Sequence, residues 1–188
     1  MPILGVVASS TRQGLATNSY ESIQTVTVGS GGASTISFTS IPSTYEHLQI
    51  RGVSRNNGAG GVSDSYAVAT FNSDSGGNYI SHSLISYSST VNEANTGVNQ
   101  TAMWFTISIT GTQSNFAANV IDIFDYKNTN KFKTVRQLGS SDRNTPSGAI
   151  ALTTGLWRST ATITRIDISL TNNWAEHTTY ALYGIKGS

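Results

Sequence analysis

A chain of 188 residues has the length of one domain, and a compact domain of that size buries about 70% of the surface its unfolded chain exposes. It contains no cysteine, which excludes disulfides and thiolate metal sites and leaves stability to packing and strand pairing. Charged residues are 11% of the chain and the formal net charge is +1, so the totals give no electrostatic footprint for a nucleic-acid partner, which normally shows as a concentrated basic face.

Residues 1–18 read as an arm ahead of a single domain spanning 19–188. The arm carries apolar Ile3, Leu4, Val6 and Val7 and then the polar stretch SSTRQGLATN. It is either an edge strand of the chain's own sheet or a docking arm that adds a strand to a neighbour. In the second case those four apolar residues are its anchors. With no basic n-region and a short apolar run, it is expected to be neither a signal peptide nor a membrane span.

From Ser22 to Phe38 the pattern predicts a hairpin, Gln24-Val26-Val28 against Ser34-Ile36-Phe38, turned by Gly29-Ser30-Gly31-Gly32. No helix and no lysine follow that turn, so it is not a phosphate cradle. Ile41-Pro42-Ser43-Thr44 then breaks any helix. In the stretch that follows, Leu48, Ile50 and Gly52 share one face and His47, Gln49 and Arg51 the other, a strand with one dry side.

Arg55–Ser63 is an Asn- and Gly-rich tip. Tyr66–Phe71 and Tyr79–Tyr87 read as strands, the second with Ile80, His82 and Leu84 on one side, and residues 88–100 read as a loop because no apolar period runs through them. Met103–Thr110 alternates, with Met103, Phe105, Ile107 and Ile109 together. In Phe116–Tyr126, Ile121 and Ile123 oppose Val120, Asp122 and Phe124. Residues 139–148 form a polar loop, after which Ala149–Leu152 and Leu156-Trp157 return to the core. Ile166, Ile168 and Leu170 alternate inward, and Thr179–Ile185 closes the sheet. Short strands with alternating faces and no helical period predict an all-β fold. A two-sheet antiparallel β-sandwich of the jelly-roll type is the expected architecture, with a closed barrel as its nearest competitor.

Chemistry is sparse. His47, His82 and His177 are scattered, no G-x-S-x-G elbow occurs, and no pair of ligands has zinc spacing, so no catalytic residue, cofactor or metal is expected. Asp122 and Asp125, three apart, point to opposite faces of a strand and cannot converge as an acid–base pair. Lys127, Lys131 and Lys133 form the one basic cluster, either a solvated loop or an anchor for an acidic patch on a partner. Trp157 and Trp174, with Asp142, Arg143 and Asn173, could supply an aromatic platform and polar groups for a glycan, or else the tryptophans pack in the core.

The opening MPILGVVASS, the segments FTSIPSTYEHLQIRGVSR, DIFDYKNTNKFKTVRQLG and GLWRSTATITRIDIS, and the ending YALYGIKGS together resemble small virion proteins of tailed bacteriophages, including phages of cyanobacteria and other aquatic bacteria. The resemblance implies a trimeric jelly-roll or similar β-sandwich without catalytic residues, made in the host cytoplasm and sited on the capsid surface. Its expected role is a capsid decoration, or cement, protein bound to the major capsid protein. The alternative it leaves is a tail-fibre module that recognises host surface glycans. Neither nucleic acid nor membrane is an expected partner.

Overall fold

A computed structural model of the chain describes residues 19–58, 64–87, 90–110, 114–143 and 148–187. Within them there are strands and turns and no helix. In chain order the strands are β1 (Tyr20–Thr27), β2 (Ala33–Phe38), β3 (His47–Asn56), β4 (Asp64–Phe71), β5 (Tyr79–Tyr87), β6 (Thr90–Gln100), β7 (Met103–Thr110), β8 (Ala117–Phe124), β9 (Lys133–Asp142), β10 (Gly148–Trp157), β11 (Ile166–Trp174) and β12 (Thr179–Ile185). The arm of residues 1–18, with Ile3, Leu4, Val6 and Val7, lies outside the described residues, as does most of the Asn/Gly tip.

One run of strands, β1-β12-β3-β8-β9-β10-β5-β6, is antiparallel throughout. A second, β2-β11-β4-β7, is antiparallel too. They meet at the end of β3, where Arg55 and Asn56 run parallel to Ile109 and Thr110, and Asn56 pairs with Trp174. The outcome is a single 12-stranded sheet that curls nearly closed, like a barrel, around a main core, with a smaller buried cluster of Ile85, Ala149 and Ala151 under β5 and β10.

β3 is the hub of this arrangement because it pairs with β12 on one side and β8 on the other before its end touches β7 and β11. Its alternation is the physical reason. Leu48 and Ile50 are fully buried, and they lie beside Ile121 and Ile123 of β8 and Leu182 of β12, which are buried as well. Each such aliphatic side chain taken from water contributes about 1.5–3 kcal/mol. Gly52 faces Tyr180 across the β3–β12 pair, and a Cβ there would lie 2.2 Å from the ring. Only glycine lets that ring lie down against the strand, edge-on to Trp174 with centroids 5.6 Å apart.

A second aromatic nest holds the β4–β5 turn. Phe71, Tyr79 and Trp157 pack within 6.4 Å of one another, ring centre to ring centre. Tyr79 Oη accepts from the Phe71 amide at 2.9 Å and donates to the Asp74 carbonyl at 3.0 Å, and burial pushes its phenol up to about 12. At the entry to β3, the Tyr126 hydroxyl donates to the Pro42 carbonyl and accepts from the Tyr45 amide at 3.3 Å, fixing the proline turn to the end of β8.

Four sequence expectations are corrected. The Gly29–Gly32 turn closes no hairpin, because β1 pairs with β12 and β2 with β11. The turn itself exists, with Gly32 at φ 70° donating to Gly29 at 3.0 Å, but it carries the chain from one run to the other. Alternation fixes which face of a strand is dry, not which strand lies beside it. Residues 88–100, expected as a loop, hold β6 (Thr90–Gln100), which ends the long run and, among the described residues, pairs with β5. An edge strand is held by backbone bonds on one side and needs no apolar period. Of the polar loop expected over residues 139–148, Gly139–Asp142 continue β9 and Gly148 begins β10, while 144–147 lie outside the described residues. In β10, finally, Ala149 and Ala151 point inward while Ile150 and Leu152 face solvent.

Candidate functional site

The residues singled out from sequence do not come together. Trp157 and Trp174 are buried, as the core reading has it: the Trp157 indole N–H donates to Asp74 Oδ2 at 2.7 Å and that of Trp174 to the Ile168 carbonyl at 3.2 Å. Neither ring is open to a glycan. Asp142 is exposed and Arg143 half-buried where β9 ends, and Asn173 is exposed beside Trp174.

The basic cluster divides. Lys127 pairs with Glu46 at 3.1 Å and Lys131 with Asp125 at 2.5 Å. Lys133 is fully buried instead of presenting a charge to a partner: its ammonium donates to the carbonyls of Asn128, of Lys131 at 3.1 Å and of Thr160 at 3.1 Å, tying two loops together. Burial draws its pKa below the ordinary lysine value. Asp122 and Asp125 are separately engaged. Asp122 takes Gln49 Nε2 at 2.7 Å and Arg136 at 2.7 Å on the outer face, whereas Asp125 sits in the turn after β8 at φ 50°. Among the described residues no group of His, Asp and Glu is arranged to hold a metal ion.

What sequence reasoning missed is a surface. On the outer side of the long run, pairing register places Val120, Leu138, Leu152 and Leu84 side by side across β8, β9, β10 and β5. All four are exposed, Leu138 at 54% and Leu152 at 47%. Because directly opposed residues on adjacent strands sit about 5 Å apart, the four side chains make a continuous apolar band. One row above it, Val53 on β3, Ala118, Ser140, Ile150 and Ser86 continue the surface without a charge, Ile150 being 58% exposed. One row below lie Asp122, Arg136, Thr154 and His82.

The band ends at Arg51, whose guanidinium donates to Gln49 at 2.6 Å and lies over the rings of Tyr20 and Tyr183. Scattered exposed apolar residues are ordinary, but a contiguous patch rimmed by polar ones marks a contact surface. The sequence held a signal for it. AIAL in β10 is apolar on both faces, and the smaller residue of each pair packs inward against Ile85 and Tyr87. Chemically, the face offers dispersion and dehydration together with one Arg136–Asp122 ion pair. No family model, curated protein or solved structure matches the chain.

Proposed function

We propose that the chain is an adhesive structural protein of a bacteriophage virion, a capsid decoration protein that bridges capsomers of the expanded shell. In this reading the two strand runs are the layers of a jelly-roll-like sandwich sharing one core. The observation that carries the proposal is the apolar band on the outer face, with Val120, Leu138, Leu152 and Leu84 in one row. A surface of that kind excludes water against another surface and does little else. The resemblance of five chain segments to virion proteins supports the same role.

The mechanism is mass action. Contacts available only on the expanded shell favour that state by the free energy of binding, as any ligand of a native state does. Ile3, Leu4, Val6 and Val7 are the proposed anchors on the major capsid protein. Immunogold labelling of virions that carry the chain is expected to decorate the head. Labelling confined to the tail would overturn the decoration reading in favour of a fibre module that binds host glycans. A chain lacking residues 1–8 should fold and fail to attach.

A further inference from the structure

We propose that a second copy of this chain covers the outer face of β3, β8, β9, β10 and β5, packed face to face about a two-fold axis that runs along the strands between β9 and β10. The inference does not rest on the virion reading: the face joins copies of the chain to one another, and attachment to a shell falls to the arm of residues 1–18.

The band is symmetric about that line. Val120 and Leu138 lie on one side of it and Leu152 and Leu84 on the other, on β8, β9, β10 and β5 in turn. A half-turn about the strand direction sets Leu138 over Leu152 of the second copy and Val120 over Leu84, apolar upon apolar. The row above then sets Ile150, a large exposed side chain, over the small Ser140. Large against small is how facing layers interdigitate.

Charge favours the same operation. The row below places the Asp122 carboxylate opposite the imidazole of His82, and Arg136 opposite Thr154, so no like charges meet. A half-turn about the band itself would set Asp122 over Ala118 and Arg136 over Ser140, so that neither ion would face an opposite charge or imidazole of the second copy.

Extent identifies a protein surface, not a peptide, as the occupant. A fourth row, Phe124, Thr134, Leu156 and Ile80, lies beyond that of Asp122, and five strands at a spacing of about 4.8 Å with four rows about 6.8 Å apart cover roughly 650 Å² on each copy. A pair would bury about 1,300 Å² in total, within the range of stable interfaces. Aligned sheets stack about 10 Å apart with strand directions within about 30° of each other.

Sedimentation velocity of the full chain tests this. Wild type is expected to sediment at twice the 19.9 kDa chain mass, and Leu138→Asp as a monomer with an unchanged far-ultraviolet circular dichroism spectrum. Phe132→Ser, an exposed change off this face, should remain a dimer. The chain has no cysteine, so thiols placed singly report the register: a mixture of Leu138→Cys and Leu152→Cys should cross-link through a short bis-maleimide better than either alone. A wild type that stays monomeric up to about 100 µM, where even a weak pair is populated, would overturn the proposal. So would a trimer, or any oligomer that Leu138→Asp leaves intact.

Discussion

Leu138 on β9 lies directly opposite Leu152 on β10, and both side chains point to solvent, whereas Leu48 and Ile50 of β3 are completely enclosed. Leucines of one chain therefore divide into core and contact residues by the parity of their strand position. In a dilute monomer, Leu152→Ser should change unfolding free energy by no more than about 0.5 kcal/mol. Leu48→Ala should cost about 2–5 kcal/mol, because it opens a cavity the neighbouring strands cannot close. Urea denaturation of both variants measures the difference.

Gly52→Ala should destabilise the fold by about 1–3 kcal/mol. Its new methyl would meet the Tyr180 ring at 2.2 Å and the Thr179 carbonyl at 2.7 Å, and Tyr180 is fully buried with no room to withdraw. Gly29→Ala, where nothing stands within 4 Å of the added carbon, should stay within about 0.5 kcal/mol of wild type. Chemical denaturation of the two variants in parallel separates close approach from a general intolerance of alanine.

Acid stability should depend on Asp74. Burial pushes its carboxyl up, but the Trp157 indole, the Gly76 amide at 2.9 Å and the Asn78 side chain at 3.0 Å outweigh that and hold it below its ordinary value of 3.8. A carboxyl with a depressed folded pKa contributes stability that is complete above the unfolded value and lost as pH falls through the folded one. Thermal midpoints of the wild type should therefore drop below about pH 4. Asp74→Asn, which does not titrate, should start lower at pH 7 and show a shallower acid limb in the same series.

Much of the barrel-like core was legible as period-two alternation. Leu48 and Ile50 in β3 and Ile166 and Ile168 in β11 point where alternation puts them. Pairing was not legible. Val28 is held by Thr178 at 2.8 Å and not by the strand that follows it, because a Gly-rich turn can link two runs as readily as close a hairpin. β6 was hidden because an edge strand satisfied by β5 on one side carries no apolar signature. The contact face was hidden for a different reason. Ile150 and Leu152 read as core by hydrophobicity alone, and the positions beside them hold alanines small enough for the tight inward layer.

Asn72 should prove a hinge pin of the domain. It sits at φ 53°, where its Oδ1 accepts from the Thr164 amide at 2.9 Å and the Arg165 amide at 3.1 Å, and its Nδ2 donates to the Thr162 carbonyl at 2.8 Å. Asn72→Ala removes those bonds and places a less tolerant residue at positive φ, so a loss of about 2–4 kcal/mol is expected. Asn72→Gly relieves only the backbone term and should recover about 1 kcal/mol of that loss. Differential scanning calorimetry of the pair assigns the remainder to the side-chain bonds.

Carbene footprinting of the full chain across a concentration series tests most directly whether the outer face is a contact surface. As copies associate, peptides carrying Val120, Leu138 and Leu152 should lose labelling, while those carrying Tyr66 and Trp104, exposed on the shorter run, should keep it. Labelling of Leu138 and Leu152 that stays constant while the protein associates would contradict the account.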